Sequence, residues 1–414
     1  MMNRNKSYKN KEYRPRWLAQ NIRKAIDINP VVILSGARQT GKSTLLRNEK
    51  PFIDWRYLSF DDIDLLGQAK NDPELFLSIK VNTIIDEIQK VPELLSVIKR
   101  FVDDNRKRRF ILSGSANLLL MKQVTETLAG RSSYFSLLPF SYSEWLNKEK
   151  PGWFLQLFKG KSPKETKFKV GDLLPHLYRG FLPPVLRLKK IEQSSLWWEG
   201  YTKTYLERDL RDLSEVSSLS DFKRVMEILA VQSGCILNET EIARKCSMSQ
   251  PTVHRYINLL ETSHLFVKLR PFTKGKIRRI IKAPKGYFLD PGLVCYLAGH
   301  YSLDSISSEF LGHLFETFIL LHLNIIASLT RAKLFYWRTW GGKEKEVDFV
   351  LEAAQKAIAI EVKLSQRVTY EDIQNIKVFM DSYSNAVWGL IIYNGSEIVY
   401  FTKNIIAVPW TALC

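Results

Sequence analysis

Cysteine is scarce in this sequence: Cys235, Cys246, Cys295 and Cys414 are its four, and no two form a CxxC pair. That spacing argues against a disulfide framework and a thiolate zinc site, and it suits a reducing compartment. The six histidines include no HExxH pair, so the helical zinc-hydrolase pattern is missing too. No clean apolar run reaches the roughly 18–20 residues a membrane span needs. The longest stretch, Phe315 to Leu329, is broken by Glu316, His322 and Asn324. The N-terminus, MMNRNKSYKNKEYRPRW, lacks a signal-type apolar segment. These absences predict a soluble, cytoplasmic protein with no membrane partner. Ordinary glycine and proline content excludes a collagenous or low-complexity chain.

What is present in excess is positive charge, and it is clustered. The chain of 414 residues carries a net charge of +18. Residues 1–24 hold eight basic groups against Glu12, and residues 238–285 hold eleven against Glu239, Glu241 and Glu261. Clustered cations suit a polyanion, because each neutralised phosphate releases counterions. Both stretches are therefore candidate DNA contacts. A solubilising tail and a solvated face would give the same count.

Length and pattern predict an α/β multidomain chain. Residues 1–24 read as a polar arm. Residues 25–147 alternate short apolar runs with helical patterns, which indicates a parallel sheet. Residues 148–233 read as a Lys/Gly/Pro-rich boundary followed by helices, residues 234–300 as a winged helix, and residues 301–414 as a long helix, a hairpin, then a helix and strands.

The first chemistry-bearing motif is Gly36-Ala37-Arg38-Gln39-Thr40-Gly41-Lys42-Ser43, with Thr44 next. It fits GxxxxGK[ST], follows the strand VVILS and opens a helix, the context this motif requires. Such a loop turns its backbone N–H groups and a helix N-terminus toward phosphates, which predicts ATP as ligand. Lys42 is expected on the β/γ-phosphates and the Ser43 hydroxyl on Mg²⁺. About forty residues on, Thr83-Ile84-Ile85-Asp86-Glu87 is an apolar strand ending in two carboxylates. Asp86 is expected in the Mg²⁺ shell and Glu87 as the group that orients or deprotonates water. Alone, such a strand end is common. Ser113, Ser115 and Asn117 are candidates to sense the γ-phosphate, with Ser115 placed in the nucleotide site. Arg131 is a candidate to stabilise transition-state charge, or else a surface ion-pair partner.

Glu239–Lys245 and Gln250–Leu260 form a helix–turn–helix, with Ser249 as N-cap and Pro251 in the first turn. Gln250, Thr252, His254 and Arg255 are expected to face outward for the major groove. The run KGKIRRIIKAPK, which has no acid, resembles a charged wing.

Near the C-terminus, Val347–Leu351 and Ala357–Lys363 read as a hairpin turning at Ala354. If paired residue numbers sum to 708–709, Asp348 lies opposite Ile360 or Glu361. Two carboxylates held together repel unless a cation intervenes. Asp348 and Glu361 are thus candidate ligands for Mg²⁺ or Mn²⁺, Glu316 an accessory ligand, and Lys363 a positioning group in metal-dependent DNA cleavage. A charged hairpin face is the alternative.

Taken together, GARQTGKSTLL, IIDEIQKVPELL, FILSGSANLLL with LAGR, LPFSYSEW, YLERDL, TVHRYINLLE and KAPKGYFLDPGL resemble a family of bacterial and archaeal ATPases. These join an AAA-like P-loop domain to a C-terminal domain of unknown function. The end, GHLFETFIL…EVDFVLE…IAIEVKLS, resembles the restriction-nuclease-like PD-(D/E)xK fold, although Val347 stands where a proline often precedes the aspartate. The resemblance implies ATP binding, hydrolysis and a link to DNA. A non-nucleolytic, ATP-driven DNA-binding switch fits the same residues, and an oligomer is compatible with either.

Overall fold

The computed structural model describes residues 13–413 apart from 115–125, 162–167, 169–170, 205–217, 274, 276, 278, 280, 281 and 340–343. Ser115, Asn117, Arg278 and the arm before Tyr13 lie outside the described residues. The chain divides into two units, one of residues 1–140 and 144–148, the other of 141–143 and 149–414.

The first unit is built on five parallel strands: β1 (Val31–Ser35), β2 (Arg56–Ser59), β3 (Thr83–Asp86), β4 (Phe110–Ser113) and β5 (Ser132–Ser136). Their order across the sheet is β2-β3-β4-β1-β5. β1, β3 and β4 are the inner strands, and their near-continuous apolar runs VVIL, TII and FIL are buried throughout. The register sets Ser59 beside Asp86 and Asp86 beside Ser113. The C-terminal ends of three strands thus deliver polar side chains to one edge, where ligands of open α/β sheets bind.

Residues 13–24 are not a free arm. The helix Leu18–Ile28 buries Leu18, Ala19, Ile22 and Ile26 at helical spacing. Arg14 stacks on Trp145, and Arg23 pairs with Glu49. Three of the basic groups counted toward DNA contact, these two and the buried Arg16, are therefore engaged within the unit.

The second unit contains a six-stranded mixed sheet, β12-β13-β11-β10-β9-β8, and a two-stranded β6-β7 ribbon. The ribbon strands are β6 (Phe266–Leu269) and β7 (Lys285–Phe288). The large sheet comprises β8 (Lys333–Arg338), β9 (Glu346–Ala353), β10 (Lys356–Lys363), β11 (Ala386–Tyr393), β12 (Val399–Tyr400) and β13 (Ile405–Pro409). The sequence pattern missed β7 and β8: the first is a four-residue strand beside a basic run, the second is half aromatic without clean alternation. The expected boundary segment near residue 150 instead packs into this unit. Phe154 and Leu157 are buried there, and Trp153 Nε1 donates to the Ala412 carbonyl at 2.8 Å.

The helix Ser308–Thr330 is apolar on nearly every face. By length and composition it meets the requirement of a membrane span, contrary to the estimate from charges in its sequence. Most of it is buried in the unit's core, where Phe318 touches Phe181 and Trp410. His322 on this helix accepts from the Tyr142 N–H at 2.9 Å and is fully buried. Burial pulls its imidazole down to about 4.

The helix–turn–helix forms as read, over Glu239–Cys246 and Gln250–Thr262, and Ser249 Oγ accepts from the Thr252 N–H at 3.3 Å. Ile242, Ala243, Val253, Ile257 and Leu260 are all buried between the elements.

Candidate functional site

The phosphate loop leaves β1 through backbone that favours glycine. Gly36 has φ 144° and Gly41 φ 95°. A Cβ at Gly36 would fall 2.5 Å from the Leu137 carbonyl oxygen, so a side chain is excluded there by contact as well. Gln39, at φ 62°, takes the left-handed region without that freedom. The Lys42 ammonium donates to the Gly36 and Ala37 carbonyls at 2.9 and 3.0 Å and is buried. Thr40 is buried, Arg38 and Ser43 are half-buried, and Gln39 and Thr44 are exposed.

Three hydroxyls converge on Asp86, which is 4% exposed. Ser43 Oγ donates to its Oδ2 at 2.7 Å, Tyr57 from β2 donates to the same oxygen, and Ser113 from β4 donates to Oδ1. The serine expected on Mg²⁺ and the aspartate expected in its shell are therefore already adjacent, a donor set that fits the ion of a Mg-nucleotide. Tyr57 had no motif to mark it. Only the β2–β3 register brings it here, where burial and the Asp86 charge raise its hydroxyl pKa and Arg47 stacks 4.1 Å from its ring.

Glu87 follows in the left-handed region, φ 58°, which turns it away from the line of β3. Burial, then the neighbouring Asp86, raise its pKa, the direction that favours proton acceptance near neutral pH. Gln89 donates its amide to Glu87 and so orients it. Arg16 holds the loop from behind. Its guanidinium donates to the Thr40, Leu138 and Pro139 carbonyls at 2.9, 2.6 and 3.0 Å.

Arg131 is not part of this site. It precedes β5, where its carbonyl accepts from Val31 N–H at the start of β1. The phosphate loop begins at the other end of β1, about 16 Å away at 3.3 Å per residue. Its guanidinium forms a two-point pair with Asp103 at 2.6 and 2.9 Å. The surface ion-pair reading is the one realised within this chain.

A second cluster lies on the C-terminal sheet. The hairpin register runs from Lys356↔Ala353 to Ile360↔Phe349, a constant sum of 709, so Asp348 falls opposite Glu361. The turn residues Ala354 and Gln355 both have positive φ, 47° and 66°. Asp348 Oδ2 accepts from the Val362 N–H at 2.8 Å, and Glu361 Oε1 lies 3.2 Å from the Lys363 ammonium. An irregularity in the β8–β9 pairing between Phe335 and Trp337 sits beside Asp348, a common device for re-aiming a side chain. Burial, then Glu361 and Glu316, raise the Asp348 pKa well above its usual value. Burial likewise raises Glu361, against the pull of Lys363.

Glu316, expected as an accessory metal ligand, is engaged otherwise. It receives the Tyr287 hydroxyl and lies 3.4 Å from the Lys285 ammonium, which also contacts Glu346. Among the described residues no group of three or more His, Cys, Asp or Glu is arranged to hold a metal. What remains for a cation is the Asp348–Glu361 pair. Glu361 Oε2 is buried with no hydrogen-bond partner, so the donor chemistry fits one hard divalent ion completed by water.

Residues 28–146 match the family described as AAA domain. That match falls on the sheet carrying the loop, Asp86 and Glu87. The chain carries an AAA-type P-loop ATPase domain. Such a domain suggests ATP binding and hydrolysis, with Mg²⁺ as the usual companion. Residues 171–304 and 311–413 match two domains of unknown function, DUF8612 and DUF4143. An uncharacterized protein of Mycobacterium tuberculosis is 29% identical over 403 residues, covering 94% of this chain and 82% of its own length. An uncharacterized protein of Methanocaldococcus jannaschii is 23% identical over 355 residues, covering 80% of this chain and 74% of its own. A Walker-type ATPase of Pyrococcus abyssi shares 13% identity at a TM-score of 0.42, over 67% of this chain and 94% of its own, a likeness too slight to carry an argument.

Beyond the AAA-type domain, the helix–turn–helix presents Gln250, His254 and Arg255 to solvent, with Thr252 half-buried. His254 Nδ1 lies 2.9 Å from Glu239 Oε2. Of the expected wing, Lys274, Lys276, Arg278, Ile280 and Ile281 lie outside the described residues. Arg279 is not a free basic group: it pairs with Glu352 at 2.8 Å and lies 4.4 and 4.6 Å from the Phe272 and Phe335 rings.

Proposed function

We propose that the protein hydrolyses ATP at the AAA-type domain and uses that cycle to act on DNA. The observation that carries the ATPase reading is the convergence of Ser43, Tyr57 and Ser113 on Asp86, with Glu87 displaced beside it and oriented by Gln89. The arrangement separates two roles. Asp86 and Ser43 hold Mg²⁺, and Glu87 aligns the attacking water while Lys42 neutralises the phosphates.

DNA contact is assigned to the exposed recognition-helix residues Gln250, His254 and Arg255, with Arg244 and Lys245 on the preceding helix. The basic groups before Tyr13 add to them. Cleavage is assigned to one Mg²⁺ or Mn²⁺ at Asp348 and Glu361, with Lys363 beside the scissile phosphate. The cytoplasm, a reducing compartment that holds ATP, suits these activities. A second reading keeps ATP and DNA but omits cleavage. The engagement of Glu316 by Lys285 favours it, since among the described residues that leaves two carboxylates for metal.

One experiment tests both. Purified protein is incubated with ATP, linear and supercoiled DNA, and Mg²⁺ or Mn²⁺. Lys42→Ala should abolish nucleotide binding, and Glu87→Gln should retain binding and lose turnover. Glu361→Ala and Lys363→Ala should abolish nicking and leave turnover intact. Wild-type-like hydrolysis by Lys42→Ala or Glu87→Gln removes the ATPase assignment. An absence of nicking with any DNA form moves the conclusion to the non-nucleolytic switch.

A further inference from the structure

The C-terminal cluster has more acids than a small metal centre needs, and it brings its own cation. Glu316 comes from the helix Ser308–Thr330, Glu346 and Asp348 from β9, and Glu361 from β10. Lys285, from β7, reaches in from outside this hairpin and helix. It is 4% exposed. Its ammonium touches Glu346, lies 3.4 Å from Glu316 Oε1, and faces the Tyr336 ring at 5.8 Å. Tyr287, two residues along β7 on the same face, donates its hydroxyl to Glu316 as well. The Glu316 side of the cluster is thus satisfied by two groups of β7.

The other side is not. Glu361 is 7% exposed; one of its oxygens meets Lys363, and the other, Oε2, is buried with no hydrogen-bond partner. A buried carboxylate oxygen left bare is costly, and a cation relieves it. The Arg338 guanidinium also lies 3.7 Å from Glu346, so Glu316 and Glu346 are already matched by cations, and the carboxylate oxygen left without a partner is on the Asp348–Glu361 side. A second divalent ion on Glu316 and Glu346 would have to expel a buried ammonium and leave it unpaired, which is strongly unfavourable.

We propose that Lys285 is a resident cation filling the Glu316–Glu346 half of this cluster, so that the site takes a single divalent metal, at Asp348 and Glu361. The inference rests on the metal-site reading above and deepens it to a one-metal centre. Glu316 then serves Lys285, not the metal. The site also cannot be complete in residues 311–413 alone, because β7 supplies its counter-ion.

The test is a Mn²⁺ titration of the full chain without nucleotide, with the otherwise wild-type chain and every variant carrying Asp86→Asn to remove the carboxylate assigned to the P-loop ion, read by electron paramagnetic resonance of free Mn²⁺. In this background wild type should bind one ion per chain and Glu361→Gln none. Lys285→Gln, with its fold checked by circular dichroism, should bind two, and Lys285→Arg one. Glu316→Gln supplies an independent arm: it should retain one ion within about threefold of wild-type affinity. Two ions on wild type, one on folded Lys285→Gln, or a tenfold weakening in Glu316→Gln would each overturn the proposal while leaving a metal site in place. No Mn²⁺ on wild type would instead remove the metal-site reading itself, and this proposal with it.

Discussion

Arg16 ties the phosphate loop to the segment after β5, and its removal has a calculable cost. Its Nε lies 3.3 Å from Glu144 Oε1, and the two side chains are only 4% and 2% exposed. Its terminal nitrogens donate to three backbone carbonyls, one of them Thr40 in the loop. Arg16→Met preserves length and the packing over Phe140 but removes the charge. Glu144 keeps the Trp17 N–H at 2.8 Å, yet loses its cation in a site nearly closed to water. Breaking one side of a buried pair costs about 3–5 kcal/mol. Three carbonyls that lose a charged donor push the value toward the upper end. We expect the ATPase unit to lose about 4 kcal/mol and ATP affinity to fall several-fold. Adding Glu144→Leu removes the stranded carboxylate and should recover about half of the loss. Hydrogen exchange of residues 13–148 against urea, read by mass spectrometry, isolates this unit from the rest of the chain. A loss below about 1 kcal/mol, or a double variant no more stable than Arg16→Met, would refute the clamp.

Two further predictions concern the second unit. His322 titrates near 4 in the folded state, below its ordinary value, so the unfolded chain binds the extra proton first. Stability from this group is present above about pH 6.5 and lost as pH falls toward 4, by roughly 3 kcal/mol in all. Asp290, whose pKa burial raises to about 6, acts in the opposite sense over the lower part of that range, so the readout is wild type minus His322→Gln. A pH-independent difference would show that the imidazole is not held neutral. At the β9–β10 turn, replacing Ala354-Gln355 by Asn-Gly should raise the thermal midpoint, because both positions have positive φ. The expected gain is about 1–2 kcal/mol; a loss would mean that the turn is not of the two-residue type.

Features whose chemistry is local could be read from the chain. GARQTGKS needs its glycines and lysine within eight residues, and the strand before it and helix after it can be read directly. The Asp86-Glu87 strand end, the capped helix pair over Glu239–Lys245 and Gln250–Leu260, and a hairpin sum of 708–709 are also short-range. Each depends on period, turn or cap residues near in sequence. Tertiary structure decided what sequence-distant residues do to one another. Tyr57 reaches Asp86 through the β2–β3 register, and Arg16 reaches Thr40 and Glu144 across 24 and 128 positions. Lys285 reaches Glu316 and Glu346 from a strand the pattern did not reveal. The same physics decided how individual charges are used. Arg131 and Arg279 are basic and look available in sequence, but Asp103 and Glu352 hold them. A residue's charge can be read from the chain, but the partner that neutralises it is chosen by strand order and helix packing, which bring together groups that no local pattern links.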